Sequence, residues 1–303
     1  MTVNLAVDLR ARCRVRRGER GFRVTVSDLG YERVAHEPAE LLRDPRAALA
    51  GALLEALRIE GPRDLELTTD VPYGSGLGGS SALAVAMAAA LAASSGAEFE
   101  GENRVPFLRD VETRVLGKPA GIQDYYPAIS GGLHCLRFEP GDVRSERRDV
   151  DPSRWQRHMT LYDTGAAHSS GMNNWEIFRT RLEGDHVLAT RLDEVGAAAR
   201  EMADAAAGRD FRAMGDALRR EWEARRRLAP VVSSPRIEAA IAAALSAGAW
   251  AGKACGAGGG GCVVVLSPPE KTPEVREALA RLPDGRVLSV TPENRGVVVD
   301  SVA

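Results

Sequence analysis

A glycine-rich loop that runs into a helical segment constrains this chain of 303 residues more than any other feature. Residues 72–82 read Pro-Tyr-Gly-Ser-Gly-Leu-Gly-Gly-Ser-Ser-Ala, between a strand-like segment, Leu65–Thr69, and an alanine-rich helical segment, Leu83–Ala93. The first amides of a helix have no partner within the helix, and the helix dipole is positive there, so such a loop binds phosphate through its main chain. We predict a phosphate site formed by Gly74, Ser75, Gly76, Leu77, Gly78, Gly79, Ser80 and Ser81. The hydroxyls of Ser80 and Ser81 can cap the helix or reach a Mg²⁺ ion held by the phosphates.

Other kinds of loop share parts of this pattern. A Walker-type loop ends in Gly-Lys-Ser or Gly-Lys-Thr, and the absence of a lysine after these glycines excludes it. The spacing Gly74-x-Gly76-x-x-Gly79 satisfies the dinucleotide fingerprint, but residues 96–104 do not form the buried strand that this fold requires after the helix. A dehydrogenase therefore stays open only as a minor alternative, and so does a glycine-rich turn without a ligand.

A second motif places an aspartate ahead of a Gly-Gly pair. Residues 121–132 read Gly-Ile-Gln-Asp-Tyr-Tyr-Pro-Ala-Ile-Ser-Gly-Gly. An alcohol is a poor nucleophile, and a carboxylate within hydrogen-bond reach can orient it and accept its proton, which makes Asp124 a candidate general base. The alternative is that Asp124 caps a short helix over residues 121–129.

A third motif is richer still in glycine. Residues 253–262 read Lys-Ala-Cys-Gly-Ala-Gly-Gly-Gly-Gly-Cys, and a strand-like run, Val263–Leu266, follows. Such a loop can adopt positive φ angles and let the main chain approach a ligand closely. A flexible hairpin is the alternative, although ordering so many glycines would cost much conformational entropy.

In this order, the three motifs resemble those of the GHMP kinases, which include galactokinase, homoserine kinase, mevalonate kinase and phosphomevalonate kinase. The family pattern Pro-x-x-x-Gly-Leu-Gly-(x)-Ser-Ser-Ala is complete at residues 72–82, with Gly79 as the inserted residue. That insertion, and the likeness of residues 121–126 to Gly-Lys-Gln-Asp-Gln-Tyr, are most similar to the branch of heptose and fucose kinases. Residues 253–261 resemble the family's Lys-x-x-Gly-Ala-Gly-Gly-Gly-Gly.

The resemblance covers nearly the whole chain and implies its fold. The expected class is α+β, with the two domains of the GHMP kinase fold. Residues 1–158 would form an N-terminal ATP-binding domain, a mixed sheet with helices that is similar to domain 2 of ribosomal protein S5. Residues 159–303 would form the C-terminal domain, a ferredoxin-like α/β sandwich.

The resemblance also implies an activity. It is the ATP- and Mg²⁺-dependent transfer of a phosphoryl group to a hydroxyl of a sugar or sugar phosphate, with Asp124 as the catalytic carboxylate. Gln123 beside it and the glycine-rich third motif favour the heptose-phosphate and fucose kinases over the mevalonate and homoserine kinases. The acceptor this implies is the anomeric hydroxyl, as in D-glycero-D-manno-heptose 7-phosphate kinase. The alternatives are another small-molecule kinase of the family, or a non-catalytic relative that binds a sugar or a nucleotide.

The substrate contacts that the resemblance implies lie in three segments: Gly131, Gly132, Thr164, Gly165, Gly256, Gly258, Gly259 and Gly260. The middle segment begins a loop, Tyr162–Trp175, whose hydroxyls and amides suit a polyol. A polar surface loop is an equal alternative there, and His168 is not assigned to the chemistry.

The family has a further motif ahead of these, which supplies a basic residue and sugar-binding side chains. No counterpart is found, because residues 1–10 resemble the strand that normally follows it. Lys118 and Lys253 are candidate substitutes for the basic group. We therefore hypothesise that the polypeptide as written is a weak or inactive kinase.

The amino-acid composition limits the kinds of partner that the chain is expected to bind. A formal charge of −2 gives no electrostatic reason to bind nucleic acid. No apolar run reaches the ~20 residues that span a bilayer, no signal peptide is recognisable, and the four scattered cysteines suit a reduced compartment. We expect a cytoplasmic protein, active on small molecules, that can form a homodimer.

The apolar periodicity predicts the secondary structure. Residues 3–16 alternate as one strand, and Arg17–Gly21 predicts a hairpin turn into a second strand, Phe22–Val26. Helical spacing covers Pro38–Leu57 and Val105–Leu116, and Gly117 is expected to end the second of these helices. Strands are predicted at Cys262–Leu266 and, last in the chain, at Val297–Val299.

Overall fold

The computed structural model describes residues 1–99, 101–166 and 177–301. The chain divides into two compact units, each assembled from segments that are distant in sequence. Unit I comprises Met1–Asp8, Pro72–Leu77 and Leu133–Pro292, and unit II comprises Leu9–Val71, Gly78–Gly132 and Glu293–Ala303. Because these units interleave along the chain, they do not test a division at residue 158, which stays a prediction.

Unit II is a four-stranded sheet with helices against one face. The strand order is β2-β5-β3-β4; β3 and β5 are parallel, and the other neighbours are antiparallel, which confirms the predicted mixed sheet. The strands are β2 (Ala11–Arg17), β3 (Phe22–Val26), β4 (Tyr31–Ala35) and β5 (Arg63–Thr69). The helices are α1 (Pro38–Leu41), α2 (Ala48–Ala56), α3 (Gly79–Ser94), α4 (Val105–Leu116) and α5 (Tyr125–Ser130).

Strand alternation decides which face of this sheet is covered. On β5, Leu65 and Leu67 are buried and Glu66 between them is exposed, as expected where only one face of a sheet packs on a core. The alanine-rich α3 packs on this apolar side and buries Met87 and Leu91. The predicted phosphate site extends into the first turn of α3, so packing of the helix holds that end of the site in place.

Unit I contains two antiparallel sheets. The first has the order β1-β6-β7 and the second β11-β8-β10-β9. The strands are β1 (Thr2–Leu5), β6 (Leu133–Glu139), β7 (Asp142–Arg148), β8 (Met159–Asp163), β9 (Ala251–Ala254), β10 (Cys262–Leu266) and β11 (Arg286–Leu288). The helices are α6 (Pro152–Gln156), α7 (described over 177–182), α8 (His186–Ala207), α9 (Phe211–Arg225), α10 (Pro235–Ser246) and α11 (Thr272–Ala280).

The second sheet has the predicted ferredoxin-like topology. Helices follow β8 and β10, and every neighbouring pair of strands is antiparallel. Its core joins Tyr162, Val263 and Val265 from the strands to Trp222 and Ile237 from the helices. Within the described ranges, no helix combines the length and apolar composition that crossing a bilayer would need.

Two expectations for the first strands are wrong. Residues 3–16 form two strands in different sheets, β1 beside β6 and β2 beside β5, because the chain turns where the amide of Asp8 donates to the carbonyl of Thr291. The predicted hairpin does not form either, since β5 lies between β2 and β3. Gly18 donates to the carbonyl of Pro62 and Arg63 donates to that of Gly21, so the turn pairs with the start of β5.

Two other elements also differ. The helix predicted over Pro38–Leu57 is interrupted between α1 and α2, where Pro45 disfavours helical geometry at Asp44 and the Asp44 carboxylate accepts a bond from Tyr31. Val297–Val299 forms no strand. The amide of Val297 donates instead to the carbonyl of Ile129 at the end of α5.

Candidate functional site

The start of α3 in unit II offers unused main-chain donors. Gly78 is its N-cap residue, with φ at 71° and no side-chain cap. The first helical bond runs from the amide of Ala82 to the carbonyl of Gly78, 2.9 Å. The amides of Gly79, Ser80 and Ser81 have no acceptor among the residues that the structure describes. Three unused amides at the positive end of a helix of 16 residues are an arrangement that favours an anion.

The carboxylate of Asp124 lies beside this helix start. A Cβ placed on Gly78 would come within 2.8 Å of the Asp124 Cβ and 3.4 Å of its Oδ2. Asp124 occupies the N-cap position of α5, but its side chain accepts no capping bond, so the helix-cap interpretation is not supported. Its Oδ2 instead accepts a bond from the Gln123 amide, 3.3 Å. The second motif thus places a carboxylate next to the predicted phosphate loop.

Electrostatics prepare Asp124 to exchange a proton near neutral pH. The pKa of Asp124 is raised to about 6, mainly by burial; the hydrogen bond from Gln123 lowers it and the nearby Glu112 carboxylate raises it, both by less than burial does. A base of this pKa is ionised at pH 7 and accepts a proton more readily than an ordinary aspartate.

Glu112 on α4 is a site residue that the sequence analysis missed. Its Oε1 accepts a hydrogen bond from the Ser80 hydroxyl, 3.1 Å, and its Oε2 accepts one from the Tyr125 hydroxyl. Tyr125 is fully buried and also bonds the side chain of Ser81. The sequence signal was weak, since Glu112 merely borders the buried stripe of α4 that includes Leu108 and Val111.

Ser80 and Glu112 offer two oxygens that could hold a magnesium ion. Ser80 Oγ and Glu112 Oε1 are hard oxygen ligands of the kind that Mg²⁺ prefers. Ser80 lies on α3 beside the unused amides that would hold phosphates, and Glu112 lies on α4. The hydroxyl of Ser81 is buried against Tyr125 instead, so Ser80 is the better placed of the two predicted metal-binding serines.

The earlier part of the loop, Pro72–Leu77, packs in unit I against the third motif. The carbonyl of Ser75 accepts the amide of Cys262, 2.8 Å. Gly76, with φ at 74°, approaches the carbonyl of Cys255 so closely that a Cβ would lie 2.6 Å from that oxygen. The two glycine-rich motifs therefore fold as neighbours, and their glycines permit the contact.

The remaining glycines of the third motif are partly explained by this packing. A Cβ on Gly256 would lie 3.0 Å from the Cα of Gly76, and the amide of Gly259 donates to the carbonyl of Val232. Gly258 lies against the same carbonyl, and Gly260 follows Gly259 in the chain. Substrate contacts from these four residues stay a prediction.

Thr164 and Gly165 have structural contacts in unit I. The Thr164 hydroxyl is buried and donates to the carbonyl of Gly261, 2.7 Å. Gly165 lies against the main chain of Asp284. Their roles in substrate binding stay predictions, and the rest of the proposed polyol loop, His168 included, lies outside the described residues.

Gly131 and Gly132 adjoin the final segment of the chain in unit II. The amide of Gly132 donates to the carbonyl of Glu293, 2.7 Å, and Gly131 lies against the main chain of Asn294 and Arg295. These contacts account for small residues here without a ligand, and contact with substrate stays a prediction.

Lys253, a candidate substitute for the family's basic group, is already engaged. Its Nζ lies 2.8 Å from Glu221 Oε2, and Glu221 also pairs with Arg225. Burial by itself raises the pKa of Glu221, but the two positive charges outweigh it and leave that pKa below its ordinary value. For Lys118, no partner is found among the described residues.

A main-chain anion site with a proton-accepting carboxylate beside its first turn is what a small-molecule kinase requires. Two family models match the chain: "GHMP kinases N terminal domain" over residues 46–132 and "GHMP kinases C terminal" over residues 191–284. Together they cover more than half of its length, and the chain belongs to the GHMP kinases.

Named relatives are identical to the chain at a quarter or more of the aligned positions. The D-glycero-alpha-D-manno-heptose 7-phosphate kinase of Campylobacter jejuni is 29% identical over 226 residues, which cover 72% of this chain and 65% of that protein. The galactokinase of Mycobacterium tuberculosis is 25% identical over 268 residues, 78% of this chain and 74% of the relative.

Solved structures show the same fold at lower identity. A D-glycero-D-manno-heptose 1-phosphate kinase from Bacteroides thetaiotaomicron aligns with a TM-score of 0.74 at 20% identity, over 99% of this chain and 90% of that one. The galactokinase of Lactococcus lactis, complexed with galactose, aligns with a TM-score of 0.77 at 15% identity, over 97% and 88%. These alignments establish the fold.

Proposed function

We propose that this protein transfers the γ-phosphoryl group of ATP to a hydroxyl of a sugar or sugar phosphate, with the anomeric hydroxyl of a heptose phosphate as the preferred acceptor. The observation that carries the proposal is the position of Asp124, whose carboxylate of raised pKa lies beside unused amides at the start of α3. Similarity to the heptose 7-phosphate kinase of Campylobacter jejuni supports the choice of acceptor.

The donor binds through the main chain. The amides of Gly78, Gly79, Ser80 and Ser81, which have no acceptor among the described residues, would donate to phosphate oxygens, and these are favoured at the positive end of α3. Ser80 Oγ and Glu112 would hold a Mg²⁺ ion, which neutralises charge on the phosphates when it is bound.

Asp124 acts on the acceptor. Its ionised carboxylate accepts a hydrogen bond from the acceptor hydroxyl and takes the proton as the new O–P bond forms and the bond from the γ-phosphorus to the bridging oxygen breaks, releasing ADP. The Gln123 amide bonds Oδ2 and so orients the carboxylate. Since the transition state is loose, positioning by these groups supplies most of the acceleration.

A panel of acceptors tests the proposal. ADP release with Mg-ATP is measured for D-glycero-D-manno-heptose 7-phosphate, fucose, galactose, mevalonate and homoserine, and the phosphorylated position is assigned by NMR. We expect the heptose phosphate to give the highest kcat/KM and an anomeric phosphate. Higher kcat/KM with mevalonate or homoserine would contradict the acceptor class, and binding of ATP and a sugar without turnover would identify a non-catalytic protein.

The magnesium site makes a separate prediction. Glu112→Gln and Ser80→Ala are each expected to raise the Mg²⁺ concentration for half-maximal activity by about tenfold or more, because each removes one oxygen ligand. Activity is titrated with Mg²⁺ at a fixed concentration of free ATP.

Asp110→Asn is the matched control, since Asp110 is an exposed carboxylate of α4 that pairs with Arg109. It should leave the titration unchanged. Ser80→Ala does not touch Tyr125, so it separates loss of the ion from loss of the Glu112–Tyr125 bond. Unchanged Mg²⁺ dependence in both variants would remove these residues from the metal site.

A further inference from the structure

Unit II contains a cavity that lies far from the start of α3. It encloses about 350 Å³ at the end of β2 and is lined by Val15, Arg16, Arg17, Glu60, Gly61, Arg63 and Ser94. Ser94 is the last residue of α3, whereas Ser80 lies in its first turn. At 1.5 Å per residue the two serines are about 21 Å apart along the helix, so the cavity is separate from the proposed transfer site.

Two of the lining arginines face each other across neighbouring strands. Arg17 of β2 is directly opposite Arg63 of β5 in the antiparallel register. Side chains at directly opposed positions lie on the same face with Cβ atoms about 5 Å apart, and like charges there repel each other. An anion that accepts from both guanidinium groups would remove the repulsion.

Neighbouring arginines are neutralised within the protein, whereas those of the cavity are not. On β2, Arg12 pairs with Asp70 and Arg14 pairs with Glu66. Arg16 and Arg17 have no carboxylate within ion-pair distance among the described residues. Among the described residues, the only hydrogen bond that the Arg63 guanidinium donates is to the carbonyl of Pro62.

The main chain adds a donor, and one acid opposes the site. The amide of Gly61 has no acceptor among the described residues. Glu60 is the single carboxylate in the cavity lining, against three arginines. The lining therefore carries an excess of positive charge and several unused N–H donors.

We propose that this cavity binds the phosphate group of a small molecule, either inorganic phosphate or a phosphomonoester. Guanidinium groups match phosphate oxygens in pairs of parallel hydrogen bonds, and two of them on facing strands can bind one phosphate group from both sides. The arginines are partly exposed and screened by salt, so we expect a dissociation constant of about a millimolar. The proposal does not depend on the acceptor or the chemistry proposed for α3.

Hydrogen–deuterium exchange of the full chain tests the proposal, because it reports the two ends of α3 separately. Inorganic phosphate and glucose 6-phosphate are titrated against sodium chloride at matched ionic strength. We expect slower exchange in peptides covering residues 13–22 and 58–66, in addition to any effect at residues 72–82. The compound that protects at the lower concentration is the better candidate for the physiological ligand.

Arg17→Gln and Arg63→Gln should each weaken protection of residues 13–22 and 58–66 by about tenfold, the effect of losing one charge-assisted hydrogen bond. Both should leave residues 72–82 and phosphoryl transfer unaffected. Arg14→Gln is the matched control, an arginine of the same strand that is already paired, and it should bind as the parent does.

A thermal readout addresses the stability of the variants. In chloride, Arg17→Gln should melt at or slightly above the parent's temperature, because it relieves the repulsion with Arg63; added phosphate should stabilise the parent more than the variant. The proposal would be overturned if phosphate protected residues 13–22 and 58–66 from exchange no more than chloride does. It would also be overturned if Arg14→Gln and Arg17→Gln lost this protection equally.

Discussion

Asp124→Asn is expected to lower kcat by roughly two to four powers of ten, the usual contribution of a general base. Asparagine keeps the shape of the side chain but cannot take the proton of the acceptor. Binding of ATP should persist, since the amides proposed to bind its phosphates, those of Gly79, Ser80 and Ser81, are unchanged. The measurement is steady-state ADP release beside direct titration with a fluorescent ATP analogue. Near-parental turnover with intact ATP binding would show that Asp124 is not the base.

The pH dependence gives this variant its control. Because the pKa of Asp124 is raised to about 6, kcat/KM of the parent should fall about tenfold per pH unit below that value. The residual activity of Asp124→Asn should lack this limb. A parental profile without an inflection near pH 6 would contradict the assignment.

The free energy of unfolding should change with pH in the sense opposite to that of kcat/KM: it should fall as the pH rises. A carboxyl whose folded-state pKa lies above its unfolded value of 3.8 favours the folded state fully below that value, and this contribution is lost as the pH rises through about 6. A shift of about two units corresponds to about 3 kcal/mol. Measured by denaturant unfolding, the free energy of unfolding of Asp124→Asn should therefore increase relative to that of the parent between pH 4 and pH 8.

Gly78→Ala is the other substitution with a large expected effect. At φ of 71° an alanine is strained, and its Cβ would lie 2.8 Å from the Cβ of Asp124. The variant should lose about 1–2 kcal/mol of stability from the backbone alone. Displacement of Asp124 by even 1 Å should lower kcat/KM about a hundredfold. Urea unfolding and steady-state kinetics measure the two effects.

Gly96→Ala is the matched control at the other end of α3. Gly96 has φ of 76°, but a Cβ there would meet nothing within 4 Å. It should lose similar stability and keep parental kinetics. If Gly96→Ala lost as much activity as Gly78→Ala, backbone strain would be the cause and the contact with Asp124 would be irrelevant.

Local patterns predicted much of this molecule. The helix expected over residues 105–116 is observed with those bounds and ends where Gly117 adopts a left-handed conformation. The strand predicted at 262–266 has those bounds as well. These elements were predictable because their signals, apolar periodicity and a terminating glycine, lie within the element. The family was also accessible, since its motifs are short and contiguous.

Pairing between distant strands was not predictable in this way. β2 and β3 are separated by one short turn, yet β5 lies between them, because the turn bonds to Pro62 and Arg63 rather than closing a hairpin. Glu112 was missed for a similar reason. Its partners, Ser80 and Tyr125, are distant in sequence, and the packing of α5 against both α3 and α4 brings the three side chains together.

The amino-acid sequence by itself determined that a glycine loop opens a helix, that Asp124 follows in a second motif, and that both belong to the GHMP kinases. Only the tertiary structure decided that Asp124 lies against Gly78, that Ser80 rather than Ser81 meets Glu112, and that Arg17 faces Arg63 with no ion pair to either arginine among the described residues. Motifs depend on neighbouring residues in the chain. Proximity, burial and the resulting pKa depend on contacts between segments far apart in sequence, which no local pattern specifies.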